Sequence, residues 1–166
     1  MLFIGLNPSR ADGRRDDPTL RRLIGFARGW GYRELLVLNL FARISPSPAA
    51  LRRVQDPVGA RNDAVLEQWC SGWMQRPEWD LWCGWGAGGC WRHRDQAVRS
   101  LLLPCMAERQ RCHPTASGPL TIALTRGGHP RHPLYSPSQA VLKPFAWAEA
   151  QIIRHPETTS AVRRPR

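Results

Sequence analysis

The chain begins Met1-Leu2-Phe3-Ile4-Gly5-Leu6-Asn7-Pro8-Ser9, and these residues indicate the class of fold. Its first four residues are all apolar, which is typical of a strand covered on both faces, as in a parallel sheet flanked by helices. The glycine, asparagine and proline that follow favour a tight polar turn in which the backbone approaches a ligand. The alternative is an ordinary strand-ending turn, because Asn, Pro and Ser are common turn residues.

The rest of the sequence repeats the alternation of strand and helix. Apolar runs predict further strands at residues 35–41, 80–86 and 119–124. Helical spacing predicts helices at residues 18–29, 63–74, 97–102 and 145–153, the first capped by Asp17 and the second by Asn62 or Asp63. This order predicts one three-layer α/β/α domain over residues 1–153, with a mainly parallel four-stranded sheet, and a basic disordered tail over residues 154–166.

Composition limits the class of protein. A chain of 166 residues with 42% apolar content can form one domain with a real core. The first apolar run is too short for a signal peptide or a membrane span, so we expect a cytoplasmic monomer with no membrane contact. A strand that begins at residue 1 leaves open whether the natural start lies upstream of Met1.

The charge points to a polyanionic partner. The net charge is +11 and Lys143 is the only lysine, so the excess is almost all arginine. Guanidinium groups suit phosphate, which predicts contact with nucleic acid or a nucleotide. Codon bias of the genome is the other explanation of so many arginines.

The cysteines predict no disulfide framework. They form no CxxC pair and their number is odd, so buried free thiols are expected. A metal or iron–sulfur site is a weaker alternative, since the six-residue gaps match no common ligand spacing. The residues of such a site would be Cys83, Cys90, Cys105, Cys112 and His113. The last three of these lie in a loop that we predict over residues 104–118.

Polar or permissive residues follow each predicted strand. Asn7, Asn39, the glycine-rich loop at 84–89 and His132 lie at or just past four different strand ends. Ligands of parallel sheets bind beyond the carboxyl ends of the strands, so these residues predict one site. For Asn39 the alternative is a buried amide that bonds to neighbouring backbone.

Three segments resemble the uracil-DNA glycosylase superfamily. They are Gly5-Leu6-Asn7-Pro8, Leu36-Val37-Leu38-Asn39 and His132-Pro133-Leu134-Tyr135-Ser136-Pro137. The chain is more similar still to an uncharacterised bacterial family within that superfamily, domain-of-unknown-function family 1643, whose signature runs through residues 3–137. The resemblance implies a uracil-DNA glycosylase-like fold and removal of a base from DNA or a nucleotide.

The resemblance also implies roles for individual residues. Asn7 would position the attacking water, Asn39 would read the edge of the base, and His132 would donate to the departing base. Phe26 or Phe41 would stack on that base. The remaining substrate-binding residues are expected to be Gly5, Pro8, Ser9, Gly86, Arg131 and Tyr135. No cofactor and no metal are expected.

Two other functions stay open. One is a noncatalytic nucleic-acid-binding module that has kept the fold. The other is a metal-dependent hydrolase of small nucleotides that uses Asp12, Asp16 and Asp17. For these carboxylates the competing interpretation is loop polarity and helix capping.

Overall fold

The computed structural model describes residues 1–8 and 17–147. Its strands are β1 Leu2–Gly5, β2 Leu36–Asn39, β3 Leu81–Cys83, β4 Pro119–Thr121 and β5 Lys143–Pro144. Its α-helices are α1 Pro18–Gly29, α2 Pro48–Leu51, α3 Asn62–Gln75 and α4 Arg94–Cys112. Two 3-10 segments, Gly86–His93 and Pro133–Tyr135, follow β3 and β4.

The strands form one sheet in the order β2-β1-β3-β4-β5. The first four are parallel, as predicted, and β5 pairs antiparallel with β4. The described sheet therefore has five strands instead of four. A strand of two residues has no hydrophobic period, which is why the sequence pattern does not indicate it.

Helices cover both faces of the sheet, which confirms the α/β class. Successive strand residues point to opposite faces. Met1 and Phe3 pack with α1, whereas Leu2 and Ile4 pack with α3 and α4 on the other side. Two hydrophobic cores thus lie on either side of one sheet.

The longest helix contradicts the predicted loop at 104–118. Helix α4 continues through Pro104 to Cys112, so Cys105 and Cys112 are helical and the loop begins at His113. Pro104 is exposed, while Cys105 and Arg109 beyond it are buried against the core. Tertiary packing on that face outweighs the backbone hydrogen bond that a proline removes.

Other boundaries also differ from prediction. Ser47 caps the short α2, a helix that the sequence pattern does not predict. The capping position of α3 is Arg61, with no side-chain cap bond, instead of Asn62 or Asp63. Residues 145–147 are not helical; the rest of the helix predicted at 145–153 and the predicted tail lie outside the described residues.

The cysteines are all free thiols. Three of them, Cys70, Cys83 and Cys105, are buried, and burial raises the pKa of each thiol, that of Cys70 to about 12. Cys90 and Cys112 are exposed. No group of three His, Cys, Asp or Glu side chains within the described residues is close enough together to hold a metal ion. No helix of the described part is long and apolar enough to cross a membrane.

Candidate functional site at the carboxyl edge of the sheet

A cavity of about 610 Å³ opens at the carboxyl ends of β1, β2 and β3. Strand β1 lies between β2 and β3, and the helices that lead to these neighbours lie on opposite faces. The connections therefore diverge beside β1, which leaves a crevice between them. Residues that follow all three strands line it.

Asn7 lies in the wall of the cavity and joins two loops. Its Nδ2 donates to the carbonyl oxygens of Pro8, at 2.9 Å, and Ser45, at 3.1 Å. A carbonyl can only accept, so these bonds fix which end of the amide is nitrogen. Both amide hydrogens are used, and Oδ1 is the atom left to accept a hydrogen bond from a ligand or water.

The side chain of Asn39, at the end of β2, extends over β1 because position 5 of β1 is glycine. Gly5 and Asn39 are register partners, and a Cβ on Gly5 would stand only 2.9 Å from Asn39 Oδ1. The structure does not place the amide on neighbouring backbone: within residues 1–8 and 17–147, no hydrogen bond reaches the Asn39 side chain. This amide therefore lines the cavity with both its donors and its acceptor available.

His132 lies at the start of the Pro133–Tyr135 turn. Its Nδ1 accepts the backbone N–H of Leu134 at 3.3 Å, so a neutral ring carries its proton on Nε2. Burial lowers the pKa of the imidazole from its ordinary 6.5, with Asp17 acting in the opposite direction. At neutral pH, His132 is thus an uncharged ring with an Nε2–H donor.

Aromatic side chains form part of the cavity wall. Phe3 lies beneath two glycines, since its ring atoms would stand 2.9 Å from a Cβ on Gly5 and 2.6 Å from one on Gly84. Trp85 is a second aromatic wall. Tyr135 is 70% exposed and also lines the cavity, its ring 5.9 Å from that of His132.

The structure brings most of the predicted site residues together. The cavity is lined by Asn7 and His132 together with Gly5, Pro8, Asn39, Gly86 and Tyr135. Ser9, Asp12 and Asp16 lie outside the described residues. Asp17 lines the cavity, and its side chain caps α1 by accepting the Thr19 N–H at 2.8 Å.

Three predicted contacts are not at the cavity. Phe41 is fully buried and packs on Trp91, because the chain leaves the strand after Asn39 and turns into the core. Phe26 is buried against Trp30 and Trp82. Arg131 is exposed and does not line the cavity.

Other residues line the cavity that the sequence patterns do not indicate. Phe3 and Trp85 read as core residues, although Phe3 stands two residues before Gly5 and therefore on the same face. The segment 45–48 also lines the cavity, held there by the bond from Asn7 to Ser45. This segment is brought close to the first turn by tertiary packing, which the local sequence does not indicate.

The interior of the cavity has little charge. Within the described residues, the charged side chain that lines it is Asp17, and no lysine or arginine does so. The lining otherwise consists of apolar groups, amides, hydroxyls and the neutral His132. Such a surface suits an uncharged ring that has polar edges.

The fold and the site define an α/β protein with a ligand-sized cavity where its strand connections diverge. Residues 1–134 match the model of the family described as "Protein of unknown function (DUF1643)", and the chain belongs to this family. The family predicted from the sequence motifs is thereby confirmed. No curated protein and no solved structure matches the chain.

Proposed function

We propose that the chain binds a nucleobase of a nucleotide or a nucleic acid in this cavity and hydrolyses the N-glycosidic bond. The observation that carries the proposal is one set of groups in one cavity. They are the acceptor Oδ1 of Asn7, the unpartnered amide of Asn39 and the Nε2–H of His132.

Each group suits one part of base binding or hydrolysis, the Asn39 amide by pairing with the polar edge of the base. The C1′–N bond breaks, its electron pair leaves with the base, and water supplies hydroxide to C1′ and a proton to the released base. Asn7 can orient the water but cannot take its proton, since an amide is not a base at neutral pH. The Nε2–H of His132 stabilises the charge that develops on a base oxygen.

The charge distribution fits a base inside the cavity and phosphate outside it. No cationic side chain of the described residues lines the interior, yet the chain carries a net charge of +11. The volume of about 610 Å³ is in the range of small-molecule sites. The three sequence motifs that resemble the uracil-DNA glycosylase superfamily support the same proposal.

The test is base release from a panel of oligonucleotides. Single-stranded and duplex forms each carry one deaminated, oxidised or alkylated base, and free base is measured by mass spectrometry. We expect release from at least one member and a loss of about a hundredfold in His132→Ala, as for removal of one donor to a developing anion.

His129→Ala is the matched control. His129 belongs to the same loop but contacts Asp95, at 3.7 Å, and does not line the large cavity. It is expected to keep the wild-type release rate. Full activity of His132→Ala, or wild-type protein that releases no base from any substrate, would contradict the hydrolytic proposal.

One observation favours a noncatalytic nucleic-acid-binding module as the second candidate. The Asn7 amide donates hydrogen bonds to two loops, so it has a structural role that does not depend on catalysis. Binding of oligonucleotides without base release would select this candidate. Turnover of free nucleotides that requires Mg²⁺ would instead select the hydrolase that uses Asp12, Asp16 and Asp17.

A further inference from the structure

The carboxyl end of β2 is held from outside the sheet. β2 is the edge strand next to β1, so carbonyls at its end need partners other than strands. Asn62 Nδ2 donates to the carbonyl oxygens of Asn39, at 3.1 Å, and Leu40, at 3.0 Å. Arg94 Nε donates to the same Leu40 oxygen at 2.6 Å.

These two donors come from the first residues of two helices. Asn62 begins α3 and Arg94 begins α4. The Arg94 side chain is only 5% exposed, and its guanidinium pairs with Asp63, the residue after Asn62. Burying a charge costs desolvation free energy, which only well-placed hydrogen bonds offset. The buried position of Arg94 therefore indicates a local role for its hydrogen bonds.

The end of β2 is also the part of the strand that carries Asn39 into the cavity. The Leu40 and Phe41 N–H groups bond to Gly5 and Leu6 of the β1 side, at 2.9 Å each. Asn39 is therefore fixed between the β1 side and the two helix starts. Neither Asn62 nor Arg94 lines the cavity.

We infer that Asn62 and Arg94 are positioning residues that aim the Asn39 amide into the cavity. The inference rests on the proposed function, in which Asn39 contacts the base. A side chain without hydrogen bonds of its own keeps its direction only if its backbone is held, and these donors hold it. They act through Asn39 and touch no ligand.

The first test needs no ligand. Amide hydrogen exchange is followed by NMR in Asn62→Leu, which keeps the side-chain size and removes both donors, and in Arg94→Lys. We expect exchange at Leu40 and Phe41 to quicken about tenfold or more while Val98 and Leu102 in α4 stay protected. Unchanged exchange at the strand end, or an equal loss everywhere, would overturn the inference.

The second test links the hydrogen bonds from Asn62 to ligand binding. Uracil, cytosine, adenine and hypoxanthine are titrated as free bases into wild type, Asn62→Leu, Asn39→Ala and the double variant. Asn62→Leu should weaken the binding of the preferred base about tenfold, with no further loss in the Asn39→Ala background. Equal losses in both backgrounds would make Asn62 merely structural and overturn the inference.

Arg109→Lys is the matched control for Arg94→Lys. Arg109 is a second buried arginine of α4 that donates to backbone carbonyls, but it lies away from the cavity. Arg94→Lys, titrated with the same bases, should weaken binding, whereas Arg109→Lys should lower stability and leave base affinity unchanged. Equal weakening in both variants would overturn the inference. If wild type binds none of the bases, the proposed function fails, and the exchange measurement alone decides whether Asn62 and Arg94 hold the end of β2.

Discussion

His132 is an imidazole whose surroundings favour its neutral form. Burial lowers its pKa from 6.5, and the opposing effect of the Asp17 carboxylate is smaller. Protonation would also require Nδ1 to give up the Leu134 N–H that it accepts. Between the folded pKa and 6.5, the unfolded chain therefore binds more protons than the folded protein at this residue.

The first prediction is a loss of stability on acidification that depends on His132. Since the folded pKa is the lower one, the contribution is complete above pH 6.5 and falls as the pH drops towards the folded pKa. Urea denaturation of wild type and His132→Gln at pH 7.5, 6 and 5 measures it. The difference in unfolding free energy, wild type minus variant, should decrease with acidification; a constant or growing difference would contradict this assignment.

The sequence predicts that a given residue reaches the cavity only where that residue lies at the end of a strand. Asn7 and Asn39 lie at or just past the ends of separate apolar runs, so parallel topology alone brings them to one edge. His132 lies eleven residues beyond β4 and is returned to that edge by the antiparallel pairing of Leu124 with Pro130. Phe41 is only two residues beyond Asn39, yet β2 ends at Asn39 and the chain turns inward. Side-chain direction after a strand end is set by tertiary packing, which local sequence does not encode.

Among the helices, α4 carries buried charged residues near both of its ends. It begins after two residues in the left-handed region, Arg92 at φ 54° and His93 at φ 53°. A side chain in that region is strained by contact of Cβ with the backbone. The two residues turn the chain so that Arg94 and Asp95 enter the core.

The second prediction is that His93→Gly stabilises the protein. His93 is exposed and makes no cap bond to α4, so glycine relieves strain without removing a contact, by about 1 kcal/mol. The melting temperature should rise by about 2–4 °C. Ala97→Gly, at an exposed position within α4, should lower it; a decrease in both variants would show that His93 is not strained.

The third prediction concerns the other end of α4. Arg109 is 2% exposed and its guanidinium lies 4.5 Å above the ring of Trp73. It donates to the backbone carbonyls of Trp73, Arg76, Pro77, Trp79 and Ser117. Lysine cannot reach all of them, so Arg109→Lys should cost about 3 kcal/mol of unfolding free energy, because buried carbonyls lose their donors.

Chemical denaturation measures that loss. Arg111→Lys is the control, since Arg111 is exposed and pairs with Glu108 of the same helix surface. Its unfolding midpoint should hardly change. Equal midpoints for the two variants would contradict the anchoring role of Arg109.

The same helix shows why element boundaries are hard to predict. Pro104 is a strong local stop signal, and only the burial of Cys105 and Arg109 explains why the helix continues. The clear start of α1 at Asp17 and Pro18 was predictable, because its cap is a local hydrogen bond. Local signals predict local structure, and the packing of α4 is not local.

For the whole molecule, the net positive charge predicts a binding affinity that depends on salt, whereas the cavity predicts one that does not. The +11 charge should attract phosphates, whereas no lysine or arginine among the described residues lines the cavity. The fourth prediction is that oligonucleotide affinity falls steeply with salt, with a log–log slope of about −0.7 for each phosphate neutralised. Affinity for an uncharged nucleoside should stay constant; a flat slope for the oligonucleotide would make the arginine excess a matter of composition.

The class of the fold follows from alternating apolar runs and helical patterns, but the strand order does not. The order β2-β1-β3-β4-β5 is what places the divergence of connections beside Asn7 and Gly86. No residue pattern states which strand is central. The position of each strand in the sheet is therefore visible only in the structure.

Binding of a nucleobase in the cavity at the carboxyl edge can be measured as a map of ligand-induced NMR shifts. Free bases and nucleosides are titrated into ¹⁵N-labelled protein. We expect saturable shifts of the Asn39 side-chain amide, the His132 ring and the Gly86 backbone. Saturable shifts confined to residues outside the cavity, or no shifts with any base, would contradict it.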